Sequence, residues 1–137
     1  MTMERSLLYV SRKTIEPAQA EAAIADIVAV ARARNADLGV TGALAATAGN
    51  FAQILEGPEA AIDALMESIC RDPRHTEVTV LRVSAITQRS FPDWSMVYAG
   101  PSAYFARHIE PLTDAGSRAE PHRVDLLISL LVGLAGK

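Results

Sequence analysis

Two helical patterns, separated by a pair of strand-like runs, restrict the fold of this 137-residue chain more than any other feature of its sequence. Both patterns place apolar residues at positions i, i+3, i+4 and i+7, which are Ile24, Ile27, Val28 and Ala31 in the first and Ile62, Leu65, Met66 and Ile69 in the second. The first helix is expected over residues 17–34 with Asn35 at its end, and the second between Pro58 and Asp72. Each helix therefore has one face to pack against a sheet.

Strand-like runs precede, separate and follow the two helices. Alternating or β-branched runs predict strands over residues 6–12, 40–47, 51–56, 78–86 and 95–99. The order β-α-β-β-α-β with one extra strand predicts an α+β, ferredoxin-like fold in which both helices cover one face of an antiparallel-rich sheet. After the last predicted strand, residues 112–121 are expected to form a loop and residues 124–134 a last amphipathic helix.

The predicted topology brings two polar side chains together at the centre of the sheet. In a ferredoxin-like order the first and third strands are neighbours, and Tyr9 and Gln53 lie on faces of these strands that project toward the helices. A buried amide without partners costs about 1–3 kcal/mol. A backbone group or the Tyr9 hydroxyl could satisfy Gln53, but one hydroxyl cannot satisfy both ends of an amide. The pair therefore favours a bound polar ligand.

Other polar residues allow two interpretations each. Asn35 is a cap or loop residue on the simpler interpretation and a ligand contact on the other. Arg71, Asp72, Arg74 and His75 follow the second helix around a proline. They form either a solvated helix end whose cations complement the helix dipole or a polar collar for a phosphate or ribityl chain.

Composition and motifs exclude several classes of protein. A net charge of −3 with 21% charged residues lacks the basic patch of a nucleic-acid binder. The sequence contains no G-x-G-x-x-G, P-loop, C-x-x-C or H-E-x-x-H motif, and we expect no catalytic site. Three scattered histidines give no support to a metal site.

The single cysteine and the hydropathy of the sequence indicate where in the cell the protein is expected. Cys70 is the single cysteine, and we expect it to be a buried structural thiol, which fits a reducing compartment. The most apolar stretch, residues 124–135, is shorter than the roughly 20 residues that span a bilayer. We expect a cytoplasmic protein without a membrane anchor.

Five short strings of the sequence stand out together, and they are residues 8–11 (LYVS), 35–42 (NADLGVTG), 51–58 (FAQILEGP), 71–75 (RDPRH) and 91–96 (FPDWSM). In order and spacing these strings resemble the BLUF domain, a flavin-binding blue-light sensor. Because five strings match in register over about residues 5–100, the resemblance is specific. It implies the ferredoxin-like sheet with a noncovalent flavin between the two helices, usually FAD, with FMN or riboflavin as alternatives.

The resemblance also implies roles for individual residues. Tyr9 and Gln53 match the family's photoactive pair, and Trp94 and Met96 match its switch strand. The matching residues expected to contact the flavin or to flank its ring and ribityl chain are Arg34, Asn35, Asp72, Arg74 and His75. Phe51 and Ile69 are expected to pack against it.

The family resemblance implies signalling rather than catalysis. Blue light would drive electron and proton transfer from the phenol, the amide would re-form its hydrogen bonds, and the output would pass through the fifth strand. We expect residues 1–100 to form the sensor and residues 101–137 a helical extension that covers the sheet or mediates homo-oligomerisation, with an unidentified downstream protein as partner. The competing hypotheses are a flavin-binding or flavin-free ferredoxin-like interaction module without photochemistry and a small flavin enzyme.

Overall fold

A computed structural model describes residues 4–90, 97–99, 103–115 and 120–135. Its strands are β1 (Glu4–Lys13), β2 (Thr41–Ala46), β3 (Asn50–Pro58), β4 (His75–Ile86) and β5 (Val97–Ala99). Its helices are α1 (Ala20–Leu38), which follows a 3-10 turn at Pro17–Gln19, α2 (Glu59–Arg71), α3 (Ala103–Ala115) and α4 (Pro121–Ala135). The predicted order is confirmed from β1 to β5 and for the last helix, whereas α3 was not predicted.

The five strands form one sheet in the order β4-β1-β3-β2-β5. The pairs β1–β3, β1–β4 and β2–β3 are antiparallel, and β5 runs parallel to β2. β1 and β3 are therefore neighbours at the centre, as predicted, and Tyr9 lies directly opposite Gln53 in their register. The α+β, ferredoxin-like prediction with an extra strand is confirmed.

Apolar side chains cover both faces of the sheet. One core contains Leu7 and Tyr9 of β1 with Ile24 and Val28 of α1 and Ile62 of α2, so both helices lie on this face as predicted. A second core joins the other face to α3 and α4, and its fully buried members include Leu8, Val10, Ile109, Leu112, Leu127 and Leu131. Because strand residues alternate in direction, neighbouring residues of β1 enter different cores.

Helix α1 extends four residues beyond its predicted end at Arg34. Asn35 is not a cap: it lies inside the helix and is 2% exposed. Gly39 ends the helix with φ of 70°, the left-handed conformation that glycine adopts at low cost, and the Val40 N–H donates to the Asn35 carbonyl. The extension turns Asn35 from a terminal residue into a buried one.

The prediction of a loop over residues 112–121 was wrong at both ends, because Pro121 is already the first residue of α4. Residues 112–115 belong to α3, which contains Pro111 and buries Ile109 and Leu112 against the sheet. Proline normally ends or kinks a helix, but the burial of these two side chains offsets its cost.

Two further expectations concern Cys70 and the membrane. Cys70 is exposed, which corrects the expectation of a buried thiol: Ile62 and Leu65 define the buried face of α2, and Cys70 lies outside it. Among the described helices, none combines the length and apolar character that crossing a bilayer requires.

Candidate functional site

A cleft lies on the helix-covered face of the sheet, between α1 and α2. It contains about 690 Å³ of empty space, part of which is open to solvent. Tyr9 and all eight residues predicted to hold a cofactor line it. The fold therefore brings together side chains from four separate segments of the sequence.

Tyr9 and Gln53 form a hydrogen-bonded pair at the base of the cleft. The Tyr9 hydroxyl donates to Gln53 Oε1 across 2.5 Å, and the two residues are 3% and 6% exposed. Their strands are directly paired, so the backbone fixes this contact. The amide nitrogen of Gln53 supplies two further donor hydrogens at the same place.

The environment of Tyr9 keeps its phenol protonated. Burial raises the pKa of Tyr9 far above its ordinary value, and the neighbouring Cys70 and Asp72 raise it further because their negative forms disfavour a phenolate. The phenol is therefore a hydrogen-bond donor throughout the ordinary pH range.

A second buried amide reaches the cleft from α1. Asn35 is almost completely buried and belongs to the cleft lining. The adjacent Arg34 is exposed, and its guanidinium donates to Ser68 Oγ of α2 across 2.8 Å, which joins the two helices at the cleft. Ser68 was not predicted as a site residue, because a serine on a helix carries no distinguishing sequence signal.

Arg74 forms a network with carboxylates. Its guanidinium donates to Asp72 at 2.7–3.1 Å and to Asp26 Oδ2 of α1 at 2.9 Å. Hydrogen bonds from Arg74 hold the pKa of Asp72 below its usual range, against the opposing effect of burial. Asp26 is therefore a supporting residue of the site, although it was not predicted as one.

His75 joins the cleft to the sheet. Its Nε2 lies 2.7 Å from the Ile69 carbonyl oxygen and its Nδ1 lies 2.8 Å from Ser11 Oγ. Because a carbonyl can only accept, Nε2 carries a hydrogen, and in the neutral ring Nδ1 accepts from the Ser11 hydroxyl. The ring also makes edge contacts with Tyr9 and Phe51, at centroid distances of 6.2 and 5.8 Å.

Apolar residues form the remaining walls. Phe51 is buried and Ile69 is half-buried, and both line the cleft. The α1 residues Ile27 and Ala31 also line the cleft, although they were not predicted as site residues. Their i, i+4 spacing marks an apolar face, but periodicity cannot separate core packing from cleft packing.

Trp94 and Met96, predicted to belong to the switch strand, lie outside the described residues. The described residues fit the requirements of a flavin ring. Two buried amides and the Tyr9 phenol provide donors and acceptors for a ring with carbonyl and N–H groups, and Phe51, Ile27 and Ile69 provide apolar walls. The open part of the cleft leaves a route for a polar tail.

Comparison with known proteins agrees with this geometry. The sequence profile of BLUF, described as sensors of blue-light using FAD, matches residues 5–97. The photoactivated adenylate cyclase subunit beta of Euglena longa is 36% identical over 95 residues, which are 69% of this chain and 11% of the cyclase subunit. The blue light- and temperature-regulated antirepressor BluF of Escherichia coli (strain K12) is 37% identical over 68 residues, covering 50% of this chain and 17% of the antirepressor.

Among solved structures, the dark state of the BLUF protein BlrB superposes with a TM-score of 0.79 and 33% identity. That match covers 97% of this chain and 98% of BlrB. By contrast, the chain spans only about a tenth of the length of the cyclase relative. On its sequence and its structure, this chain belongs to the BLUF family, the flavin-binding sensors of blue light.

Proposed function

We propose that Tyr9 and Gln53 are the light-responsive pair of this flavin-binding sensor and that their hydrogen bonds rearrange under blue light. The observation that carries the proposal is the 2.5 Å contact between the Tyr9 hydroxyl and Gln53 Oε1 at the base of a cleft between two helices. When bound, a flavin supplies blue-light absorption and an excited state that accepts an electron.

The chain's own residues supply the proton chemistry. Tyr9 keeps its proton in the dark because burial raises its pKa, and Gln53 Oε1 receives the hydrogen bond. The Gln53 amide has an oxygen that accepts and a nitrogen that donates, so it has two arrangements toward the phenol. Rotation of the Gln53 side-chain amide would turn its nitrogen toward the phenol. The Tyr9 oxygen would then accept a hydrogen bond instead of donating one.

The remaining cleft residues would hold and orient the flavin. Asn35 offers a buried amide to a ring carbonyl, while Phe51 and Ile69 pack beside the ring. Arg34 would flank the ring at the mouth. FAD is the flavin of the family, and FMN and riboflavin share the ring that these residues would bind.

Asp72 supports the ribityl region in this proposal, with Arg74 and His75 beside it. The hydrogen bonds between Arg74 and its carboxylate partners orient both charges, and those of His75 fix its ring. Because the Arg74 guanidinium and the His75 ring already have these partners, we expect the flavin to touch their outer edges rather than to form a new ion pair with them.

The output is proposed to be a conformational signal rather than a chemical reaction by this chain. Residues 1–100 would form the sensor, with Trp94 and Met96 transmitting a change toward residues 101–137 and then to another cytoplasmic protein or a second copy of the chain. Relatives named as cyclase subunits and as an antirepressor support a sensor that serves different outputs.

The test is the visible absorption spectrum of the flavin-loaded protein in darkness and after blue light. Wild type should show an oxidised-flavin spectrum that shifts slightly to the red and relaxes in the dark, and Gln53→Leu should bind flavin without the shift. Gln88→Leu is the matched control, because Gln88 is exposed after β4. A red shift that survives in Gln53→Leu would refute the proposed role of the pair.

A further inference from the structure

Four buried polar residues lie away from the opening of the cleft, and the Tyr9–Gln53 pair gives no reason for their burial. Ser11, Thr47 and Asn50 are at most 2% exposed and Thr113 of α3 is 9% exposed. Burying polar groups without hydrogen bonds costs about 1–3 kcal/mol each, so their partners should account for their presence. Those partners form a continuous path through the sheet.

The path begins at the cleft. His75 lines the cleft, contacts the Tyr9 ring by its edge, and receives the Ser11 hydroxyl hydrogen at Nδ1. Its other nitrogen is held by the Ile69 carbonyl of α2. Any displacement of the imidazole ring therefore changes the hydrogen bond that Ser11 makes.

An irregularity in the sheet lies at this point. The β1–β4 register shifts between Val10 and Arg12, so Ser11 lies beside the shift. Within the shifted part of β4, Glu77 has φ of 52°, the one positive φ among the described non-glycine residues. A non-glycine residue in this conformation is strained, and bulges of this kind redirect neighbouring side chains. His75, two residues before Glu77, begins β4 at this irregular end of the strand.

Beyond Ser11, Asn50 crosses to the opposite face of the sheet. Its Nδ2 group donates to the Ser11 carbonyl oxygen and to Thr113 Oγ1, each across 3.2 Å. Its backbone N–H donates to Thr47 Oγ1 across 3.0 Å, which holds the residue at the start of β3. Asn50 thus uses both hydrogens of its amide nitrogen, one toward Ser11 and one toward Thr113.

At the far end, the Thr113 hydroxyl has only one possible role. It donates its single hydrogen to the Ile109 carbonyl within α3 across 3.0 Å, so toward Asn50 it can only accept. The path therefore joins the cleft to α3 through hydrogen bonds and the backbone of Ser11.

We propose that the Asn50–Thr113 contact couples the state of the cleft to α3, with Ser11 and His75 as positioning residues between the light-responsive pair and this contact. The inference rests on the proposed function, because the pair is what would change in the light. It adds a route through the sheet to the route through β5. The two contacts that the Asn50 amide makes are buried, so solvent does not compete for them.

The test is amide hydrogen exchange of α3 peptides in the flavin-loaded full chain, measured in darkness and under blue light. Wild type should show a light-dependent difference in α3. Thr113→Val, which keeps the shape and removes the hydroxyl, should lose that difference while keeping the flavin red shift. Thr113→Ser should restore it, and Thr87→Val, at an exposed position, should leave it as in wild type.

Ser11→Ala provides a second variant that does not alter α3. It removes the hydroxyl that bonds to His75 but keeps the carbonyl that bonds to Asn50, and it should reduce the light-dependent exchange difference in α3. An unchanged difference in Thr113→Val, or its loss in both Thr113→Val and Thr113→Ser, would overturn the coupling. So would a wild-type red shift without any change in α3. Absence of the red shift itself would refute the proposed function and this inference with it.

Discussion

Tyr9 and Gln53 derive their chemistry from two different structural causes. Strand pairing places them opposite each other, and burial keeps the phenol protonated by raising its pKa. A tyrosine at the surface would exchange its hydrogen bond with water, whereas this one has a fixed acceptor. The hydrogen bond between Tyr9 and Gln53 therefore stabilises the fold, and its two groups can also change partners.

Replacing Tyr9 with phenylalanine should show how much the Tyr9–Gln53 hydrogen bond contributes to stability. Gln53 Oε1 loses its phenol donor in a buried site, so the free energy of unfolding should fall by about 1–2 kcal/mol. Urea unfolding of the flavin-free protein measures this change. Thr87→Val, which also removes one hydroxyl but at an exposed position after β4, is the control and should change stability by less than about 0.5 kcal/mol. Equal losses in both variants would contradict the assigned contact.

The Asp72–Arg74 pair should make stability depend on pH. Because the folded pKa of Asp72 is lowered, chiefly by hydrogen bonds from Arg74, its contribution is present above the unfolded pKa of about 3.9 and is lost as pH falls through the folded value. Asp72→Asn should therefore be less stable than wild type by about 1 kcal/mol at pH 7. The difference should shrink below about pH 4. A difference that grew in acid would have the wrong sign.

At the scale of elements, the predicted strands and helices were mostly found, and the errors occurred where local signals conflict. Asn35 resembles a helix end, but Gly39 is the residue with the left-handed φ that terminates α1. Pro111 resembles a break, yet Ile109 and Leu112 hold α3 against the sheet. Packing decided both cases, and one sequence does not show which contacts its helices will make.

The β2–β3 pairing should be intolerant of a side chain at Gly42. An added Cβ would lie 2.1 Å from the Ile54 carbonyl oxygen, which belongs to the backbone of the adjacent strand. Gly42→Ala should therefore reduce the free energy of unfolding by more than about 2 kcal/mol and weaken flavin binding, because Gln53 is the next residue of that strand toward the hairpin.

Gly49→Ala is the matched control for this change. Its Cβ would meet nothing within 4 Å, and we expect stability to change by less than about 1 kcal/mol. Thermal unfolding of both variants, with flavin titration of the folded protein, measures the effects. Similar behaviour of the two alanine variants would contradict the close approach of β2 to β3.

At the scale of the whole molecule, the sheet is a middle layer with different neighbours on its two faces. The cleft residues lie with α1 and α2 on one face, and α3 and α4 cover the other. The sequence predicted the pair Tyr9 and Gln53 because strand order and residue parity suffice for it. It could not predict the path through Ser11 and Asn50, which depends on a register shift and on side-chain packing.

The helical layer formed by α3 and α4 should contribute strongly to stability. Leu131 is fully buried against the sheet, so Leu131→Ala should cost about 2–5 kcal/mol through lost burial and the cavity left behind. Leu126 on the same helix is 45% exposed, and Leu126→Ala should cost less than about 1 kcal/mol. Chemical unfolding compares the two. Equal costs would contradict the packing of α4 on the sheet.

The central claim is that the Gln53 amide changes its hydrogen bonds in the light, and light-minus-dark infrared spectroscopy with side-chain-labelled glutamine tests it most directly. The chain has three glutamines, and Gln19 and Gln88 are exposed, so a labelled band that changes with light is assigned by its loss in Gln53→Leu. We predict glutamine-sensitive bands that rise and decay with the flavin red shift. A normal red shift without any glutamine-sensitive band would contradict the account.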